Sequence, residues 1–443
     1  IGLGIPAEPL FRSSYNHILS SQHPEHGGYV YFTPARPRHY RNYSAPNEAM
    51  WCCVGTGMEN QGKYGQFIYT KKDDNLFVNL FVASELNWKD HNVMLRQETQ
   101  FPYAETSKIT IAQGKGQFTL QVRYPGWVKP GKFEVKVNGK PVNIITGPSS
   151  YVAISRQWKK GDVVDITFPM HNSVKYLPNE PQYIALMHGP IMLAAKTGTE
   201  DLAHLIADDS RFGQYASGKK LPINEAPILV NNNLEDIANQ LQPIAGKPLH
   251  FTLHTKMENA IRSEIQPFFE IHDARYMMYW LALSEDSYKS YLDDLAKQEQ
   301  ERQALEGRTV DKVQPGEQQP EADHFMETDR SQVGNTNDVF FRDASNGHYF
   351  SYLMQTDGQT NLSLRLKYWG VGEWKSHEFD ILVDDVLVKE VNNTGKYRVS
   401  EFKYETYPVP EELLKGKKQV RVKFVAKPRK QIGEIYEVRL VKN

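Results

Sequence analysis

The spacing of β-strand signals constrains the fold of this chain more than any other feature. From residue 66 to residue 195, segments rich in Val, Ile, Phe and Tyr follow one another at short intervals, separated by turn residues and without helical periodicity. Asn138-Gly139 is the strongest hairpin signal among these turns. Strands at this spacing, with no helices between them, predict an antiparallel β-sandwich over residues 63–197.

A second β-rich block begins near residue 310 and continues to residue 443. Its strands are again antiparallel in style, so residues 310–443 predict a second sandwich of the jelly-roll kind. Residues 198–309 predict a connector with a short β region and one helix over residues 284–308. Ser284 is the expected N-cap of that helix, because acidic residues fill its first turn. The predicted fold class is therefore mainly β, with two antiparallel sandwiches.

The first sixty residues follow a different pattern. Residues 11–22 place Phe11, Tyr15, Ile18 and Leu19 at helical spacing, which predicts one amphipathic helix. The stretch from residue 29 to residue 60 is dense in Gly, Pro, Tyr and His, which favours an extended loop with short strands.

Charge and aromatic content limit the classes of partner. The 52 Lys and Arg residues nearly balance the 53 Asp and Glu residues, so the surface has no general attraction for nucleic acid or anionic lipid. No apolar run is long enough to cross a bilayer. Aromatic residues make up 12% of the chain, with 24 Tyr and 7 Trp. Such a content fits β-sheet packing and also carbohydrate binding, in which flat rings stack on sugar faces.

The only two cysteines of the chain, Cys52 and Cys53, are adjacent. Neighbouring cysteines form a disulfide only with a distorted peptide geometry. Their adjacency therefore favours joint chemistry, with two thiolates directed at one metal or one thiolate acting as a nucleophile. The spacing leaves the alternative of two buried thiols open, because free cysteine is among the most buried residue types.

Three stretches resemble a known family. HGGYVYFTPARPRHYRNYSAP, MWCCVGTGMENQGKYGQFIY and LFVNLFVASELNW are similar to bacterial glycoside hydrolases of families 127 and 146, which are β-L-arabinofuranosidases and relatives. The ending GEIYEVRLVKN resembles the C-terminal domains of the same multidomain enzymes. The resemblance covers nearly the whole chain and implies a carbohydrate substrate that carries L-arabinofuranosyl groups from plant glycans.

The resemblance also implies a retaining mechanism with a zinc-bound cysteine as nucleophile. By position in the motif, Cys52 takes the place of the nucleophile and a zinc ligand, and Cys53 that of a second zinc ligand. The other family ligands, in a Glu-x-Cys arrangement, and the acid/base glutamate lie upstream in an (α/α)6 helical barrel. Residues 1–62 would be the end of that barrel, with the cysteine pair in a loop.

The zinc site is therefore expected to be incomplete in this chain, which would be the C-terminal part of a longer enzyme or a degenerate relative. Catalysis is expected only together with the missing N-terminal barrel. The alternative function is a non-catalytic carbohydrate-binding or scaffolding β-sandwich protein derived from such an enzyme. A plant polysaccharide substrate implies a periplasmic or secreted protein.

Several aromatic and histidine side chains are candidates for sugar contact. If the family fold holds, Tyr31, His23 and His26 would line the mouth of the barrel, although packing is the alternative for each. In the second sandwich, Trp369 and Trp374 could form a sugar-stacking platform or belong to its core.

Overall fold

The computed structural model describes residues 13–207, 213–261, 263–336, 339–371 and 376–443. The fold is mainly β, as the sequence predicts. The chain divides into two compact units, residues 1–290 and residues 291–443. In the parts of the chain given above, no helix is long and apolar enough to cross a membrane.

The N-terminal segment contains short helices and two very short strands. A π-helical turn, Ser13–Ile18, and a 3-10 turn, Leu19–Ser21, occupy most of the predicted first helix, whose residues 11 and 12 lie outside the described part. The elements that follow are β1 (His39–Tyr40), β2 (Tyr43–Ser44), α1 (Cys52–Lys63) and α2 (Gly65–Ile68).

The next ten strands form the predicted sandwich. They are β3 (Tyr69–Lys72), β4 (Asn75–Val78), β5 (Ser84–Trp88), β6 (Val93–Thr99), β7 (Thr106–Gln113), β8 (Lys115–Tyr124), β9 (Glu134–Val137), β10 (Lys140–Pro141), β11 (Ser150–Lys159) and β12 (Val163–Thr167). One sheet has the order β10-β9-β12-β7-β6-β5 and the other β11-β8-β4-β3. The pairing of β4 with β8 is parallel, which corrects the antiparallel arrangement that the sequence predicts for this sandwich. Alternate side chains of these strands are buried together, which produces one apolar core.

The hairpin between β9 and β10 confirms the strongest turn signal. Asn138 and Gly139 have φ angles of 51° and 76°, as a type I′ turn requires at its two central positions. Asn138 also donates from Nδ2 to Asp162 Oδ1 at 2.8 Å, which ties the turn to the start of β12.

The remaining strands of the first unit form one large sheet and one small pairing. They are β13 (Asn172–Leu177), β14 (Glu180–His188), β15 (Ile191–Gly198), β16 (Ile206–Ala207), β17 (Ile228–Val230), β18 (Leu241–Pro243), β19 (Phe251–Leu253), β20 (Lys256–Glu258), β21 (Ile265–Pro267), β22 (Arg275–Met277) and β23 (Trp280–Leu283). The large sheet contains β1 and all of these strands except β16. Strand β16 pairs in parallel with β2.

The large sheet contains strands from both sides of the predicted domain boundary between residues 197 and 198. The sequence places residues 183–196 at the end of the first sandwich, whereas in the structure this hairpin pairs with strands of the predicted connector. Tyr183 lies opposite Leu281, and Ala195 opposite Ile265 and Met277. Such pairings join residues that are distant in the chain, so the local pattern of residues does not indicate them.

The second unit is a two-sheet sandwich. Its strands are β24 (Thr309–Val313), β25 (Glu327–Asp329), β26 (Gln332–Thr336), β27 (Val339–Asp343), β28 (Tyr349–Gln355), β29 (Leu362–Val371), β30 (Glu378–Val383), β31 (Val386–Asn392), β32 (Arg398–Pro408), β33 (Gln419–Ala426) and β34 (Ile435–Lys442). One sheet follows β26-β27-β34-β29-β32 with β24 beside β34, and the other β25-β28-β33-β30-β31. The side chains between them form one core.

Three helices accompany these strands: α3 (Glu285–Arg308), α4 (Gln318–Asp323) and α5 (Glu411–Leu414). The bounds of α3 confirm the predicted helix. Ser284 Oγ accepts a hydrogen bond from the backbone N–H of Ser287 at 3.1 Å, as expected of its N-cap.

A histidine after α4 should make the stability of the second unit depend on pH. His324 donates from Nδ1 to the carbonyl of Pro320 at 2.6 Å and from Nε2 to Asp311 Oδ1 at 3.1 Å. Two donated bonds require the imidazolium form. The hydrogen bond to Asp311 is the main cause that raises the pKa of His324. Because the pKa of His324 is higher in the folded than in the unfolded protein, its contribution to stability is complete below about pH 6.5. This contribution is lost as pH rises through the folded pKa.

We therefore expect the free energy of unfolding of the second unit to fall as pH rises above about 6.5. The His324→Gln variant has no titrating group at this position, so its profile should be flatter over that range. Urea titrations at several pH values measure the free energy of unfolding of both proteins. Hydrogen exchange of the β28 amides shows that the difference belongs to the second unit. Identical slopes in the two proteins would rule out His324 as the source.

Candidate active site

The cysteine pair opens helix α1. Cys52 is its first residue and is exposed, while Cys53 is half-buried. The N-terminal end of a helix has free N–H groups and partial positive charge, which favour an anionic group beside it. Burial is the main cause that raises the pKa of the Cys53 thiol, and the neighbouring Cys52 raises it further. Cys52 is therefore the more accessible nucleophile of the two.

The helix is a correction to the loop that the sequence predicts at the cysteine pair. Three glycines in α1 weaken its helical propensity, but a tertiary contact requires one of them. A Cβ atom at Gly57 would lie 2.3 Å from a ring carbon of Tyr29, so only glycine allows the ring to pack against the helix. Glu59 and Lys63 add an exposed ion pair of 2.6 Å one turn apart.

Tyr31 is the predicted sugar contact that the structure places beside Cys52. Cys52 Sγ donates to Tyr31 Oη at 3.8 Å. This contact is the main cause that raises the pKa of Tyr31, so the phenol keeps its proton at neutral pH. A neutral phenol beside the sulfur can donate a hydrogen bond to a thiolate or to a sugar oxygen.

The two predicted histidines have other partners. His23 is 3% exposed and its Nε2 lies 3.0 Å from Asp273 Oδ2. His26 stacks on His23 with ring centroids 3.8 Å apart. Their further ring contacts in the described residues are to Tyr43 and His272. These contacts favour the packing alternative, in which the histidines fasten the turn at residues 23–28 to the segment that precedes β22.

The hydrogen bonds of Tyr43 and His272 fix which ring nitrogen of His272 donates and which accepts. Tyr43 Oη lies 2.8 Å from His272 Nδ1, and His272 Nε2 lies 2.9 Å from the carbonyl oxygen of Phe269. Burial, with the positive charge of Arg41, lowers the pKa of His272 to about 4. The ring is therefore neutral at pH 7, and it donates through Nε2 to the carbonyl and accepts through Nδ1 from the tyrosine.

Tyr31, which contacts Cys52, belongs to a cluster of four aromatic rings. The four rings are those of Tyr31, Phe32, Trp51 and Tyr215. Ring centroids of Tyr31 and Phe32 are 4.5 Å apart, those of Tyr31 and Trp51 6.2 Å, and those of Phe32 and Tyr215 4.8 Å with near-parallel planes. Tyr31, Phe32 and Tyr215 are 38%, 40% and 51% exposed.

Tyr215 comes from the segment that the sequence predicts to be a polar connector. Asn42 Nδ2 donates to the carbonyl of Gly213 at 2.5 Å, and the backbone N–H of Gly218 donates to Tyr40 Oη at 2.7 Å. These bonds fasten both ends of a short loop to the strands that precede α1. Sequence reasoning missed Tyr215 because no local motif marks it.

The two cysteines could supply two of the roughly four ligands that a zinc ion needs. No group of three or more His, Cys, Asp or Glu side chains that could hold a metal occurs among the residues that the structure describes. The described donor set therefore does not by itself fit a tetrahedral zinc site, because about half of the ligands would have to come from elsewhere.

The predicted platform in the second unit is described only in part. Trp369, on β29, is half-buried and packs edge-to-face on Phe402 with centroids 5.0 Å apart. Lys367 Nζ lies 3.8 Å from the centroid of the same Phe402 ring. Trp374 lies outside the described residues. The platform stays a prediction.

Family models match successive segments of the chain. Residues 7–66 match the β-L-arabinofuranosidase GH127 catalytic domain, and residues 75–170 match the GH127 middle domain. Residues 173–282 match a domain of unknown function, and residues 304–441 match a family of unknown function. No curated protein matches the chain.

Three solved structures with partial likeness are titled as glycoside hydrolases or β-arabinofuranosidases. One titled glycoside hydrolase shares 21% identity over 62% of this chain and 48% of its own, with a TM-score of 0.46. A GH127 β-arabinofuranosidase shares 20% identity over 62% of this chain and 46% of its own, with a TM-score of 0.44. A GH127 β-L-arabinofuranosidase from Geobacillus stearothermophilus T6 shares 19% identity over 62% of this chain and 46% of its own, with a TM-score of 0.43. The chain thus spans about half the length of these proteins.

Proposed function

We propose that the chain is of the family 127 glycoside hydrolase type, since residues 7–66 and 75–170 match its catalytic and middle domains, and that it forms part of a retaining glycoside hydrolase. Its substrate would be a plant glycan with terminal L-arabinofuranose. The protein would act in the periplasm or outside the cell of a bacterium, where such polysaccharides are found.

One observation carries the proposal: an exposed cysteine opens a helix and lies 3.8 Å from a protonated phenol. In the first step the thiolate of Cys52 attacks the anomeric carbon, a C–S bond forms and the C–O bond to the leaving group breaks. A carboxylic acid protonates the departing oxygen. In the second step the same group, now a carboxylate, takes a proton from a water molecule as the water oxygen attacks the anomeric carbon. The new C–O bond forms while the C–S bond breaks, which releases the sugar and restores the thiolate.

The chain supplies part of the required machinery. We place Cys52 and Cys53 as two ligands of a zinc ion that would keep the sulfur ionised. The other ligands and the acid/base carboxylate would come from helical-barrel residues outside this sequence. Tyr31 would hydrogen-bond to the sulfur or to the sugar.

The second candidate function is non-catalytic carbohydrate binding or scaffolding. The incomplete donor set around the cysteines, within the described residues, favours it. Under this alternative, the two sandwiches would bind or present glycans without cleaving them.

The deciding experiment uses the natural polypeptide that carries these 443 residues. Under the enzyme proposal it releases p-nitrophenol from p-nitrophenyl β-L-arabinofuranoside and contains about one zinc per chain. Under the alternative, arabinan or pectin fragments bind in calorimetric titrations but no glycoside is hydrolysed. Absence of both hydrolysis and sugar binding contradicts both functions.

A further inference from the structure

We propose that Tyr215 forms, with Phe32, an aromatic wall that contacts the sugar bound at Cys52 and helps to set specificity. The proposal rests on the function proposed above. It assigns a substrate-contacting role to the segment after β16, which is far from the cysteine motif in the chain.

The first argument is continuity with the nucleophile. Cys52 contacts Tyr31, Tyr31 contacts Phe32, and Phe32 stacks on Tyr215 with ring centroids 4.8 Å apart and planes 20° apart. The wall therefore begins at the reacting sulfur.

The second argument is exposure. Aromatic side chains are usually buried where they serve packing alone, as Tyr40 and Tyr43 are in the strands just before α1. Tyr215 is 51% exposed and Phe32 is 40% exposed, although their rings are stacked on each other. Stacked rings with open faces and edges offer an apolar surface to the C–H groups of a sugar, and the tyrosine adds a polar hydroxyl at its rim.

The third argument is preorganisation. The loop that carries Tyr215 is fastened at Gly213 and Gly218 to Asn42 and Tyr40. Gly218 is packed so closely that a Cβ atom there would lie 2.4 Å from the carbonyl oxygen of Asp201. A ring held in this way loses little conformational freedom on binding, and tyrosine has few rotatable bonds to immobilise.

The test compares Tyr215→Ala and Tyr215→Phe with Tyr176→Ala in the natural polypeptide. Tyr176, on β13, is 42% exposed and serves as the matched control. We expect Tyr215→Ala to raise KM for p-nitrophenyl β-L-arabinofuranoside about three- to tenfold, with kcat changed by less than about twofold. Tyr215→Phe keeps the stacking ring and loses only the hydroxyl, so it should raise KM less than Tyr215→Ala does, and Tyr176→Ala should stay within about twofold of wild-type KM.

A second readout separates this inference from the proposed function. Iodoacetamide alkylates Cys52, and L-arabinose bound at the wall should slow that reaction in the wild type but not in Tyr215→Ala. An unchanged KM in Tyr215→Ala overturns the wall while the glycosidase assignment stands. If the wild type is inactive, protection that is lost in Tyr215→Ala still supports the wall, and absence of protection in the wild type overturns it. An unchanged alkylation rate without sugar shows that the variant keeps the fold around α1.

Discussion

Replacement of Cys52 by alanine should abolish hydrolysis of p-nitrophenyl β-L-arabinofuranoside by the natural polypeptide, with a loss of at least about 10⁴-fold in kcat. The reason is that alanine has no atom that can form the bond to the anomeric carbon. Cys52 is exposed at the start of α1, so the substitution removes the sulfur without leaving a cavity in the core. Initial rates at saturating substrate measure the effect.

Two control variants make this result specific. Cys52→Ser keeps the size of the side chain but replaces the sulfur by a much weaker nucleophile, so it should be almost as inactive. Thr56→Ala removes a hydroxyl that donates to the carbonyl of Cys52 at 3.3 Å on the same exposed turn, and it should retain near-normal turnover. Turnover of Cys52→Ala close to that of the wild type would exclude Cys52 as the nucleophile.

The second large effect concerns stability. Arg342→Ala should lower the free energy of unfolding of the second unit by about 3–5 kcal/mol. Arg342 donates from Nε to Glu321 Oε1 at 2.6 Å, and both side chains are less than 10% exposed. Burial alone would raise the pKa of Glu321, but hydrogen bonds from Arg342, Gly316 and Tyr352 outweigh it and lower the pKa. Removal of the arginine leaves a buried carboxylate without its cation.

The matched control is the exposed pair of Arg302 and Glu299 on α3. Their side chains are 64% and 46% exposed, so Arg302→Ala should lower the free energy of unfolding far less than Arg342→Ala does. Urea unfolding, with hydrogen exchange read in β28 and β33, reports on the second unit. Equal effects of the two substitutions would show that the buried pair adds no more stability than a surface pair.

The sheets show how much of the fold the sequence predicts. Strands and tight turns are local features, so the Asn138-Gly139 hairpin and the helix capped by Ser284 follow from a few neighbouring residues. Helix α1 does not follow from neighbouring residues, because its glycines disfavour a helix. The reason for one of these glycines is a tertiary contact, the packing of the Tyr29 ring against Gly57. The grouping of β13–β15 with β17–β23 also depends on contacts between distant residues.

The candidate site divides in the same way. Cys52 and Tyr31 belong to neighbouring stretches that resemble the family, and the structure brings them together. Asp273 and Tyr215 lie far along the chain, and nothing in their immediate neighbours marks them as partners of His23 and Phe32. A pattern of residues indicates the chemistry of a motif, whereas the side chains that complete it depend on the tertiary fold.

The long-range pairing around the strands before α1 has a consequence for synthesis of the protein on the ribosome. Tyr276, in β22, donates to the carbonyl of Pro34, a residue 242 positions earlier, and β22 pairs with β1. At about 5–20 residues per second, translation needs roughly 12–48 s to reach the partner strand. During that time the cysteine-bearing segment lacks its final support, while the first sandwich, complete by β12, can already fold. A nascent chain stalled before β22 should therefore contain a folded sandwich and an unprotected, chaperone-accessible segment before α1.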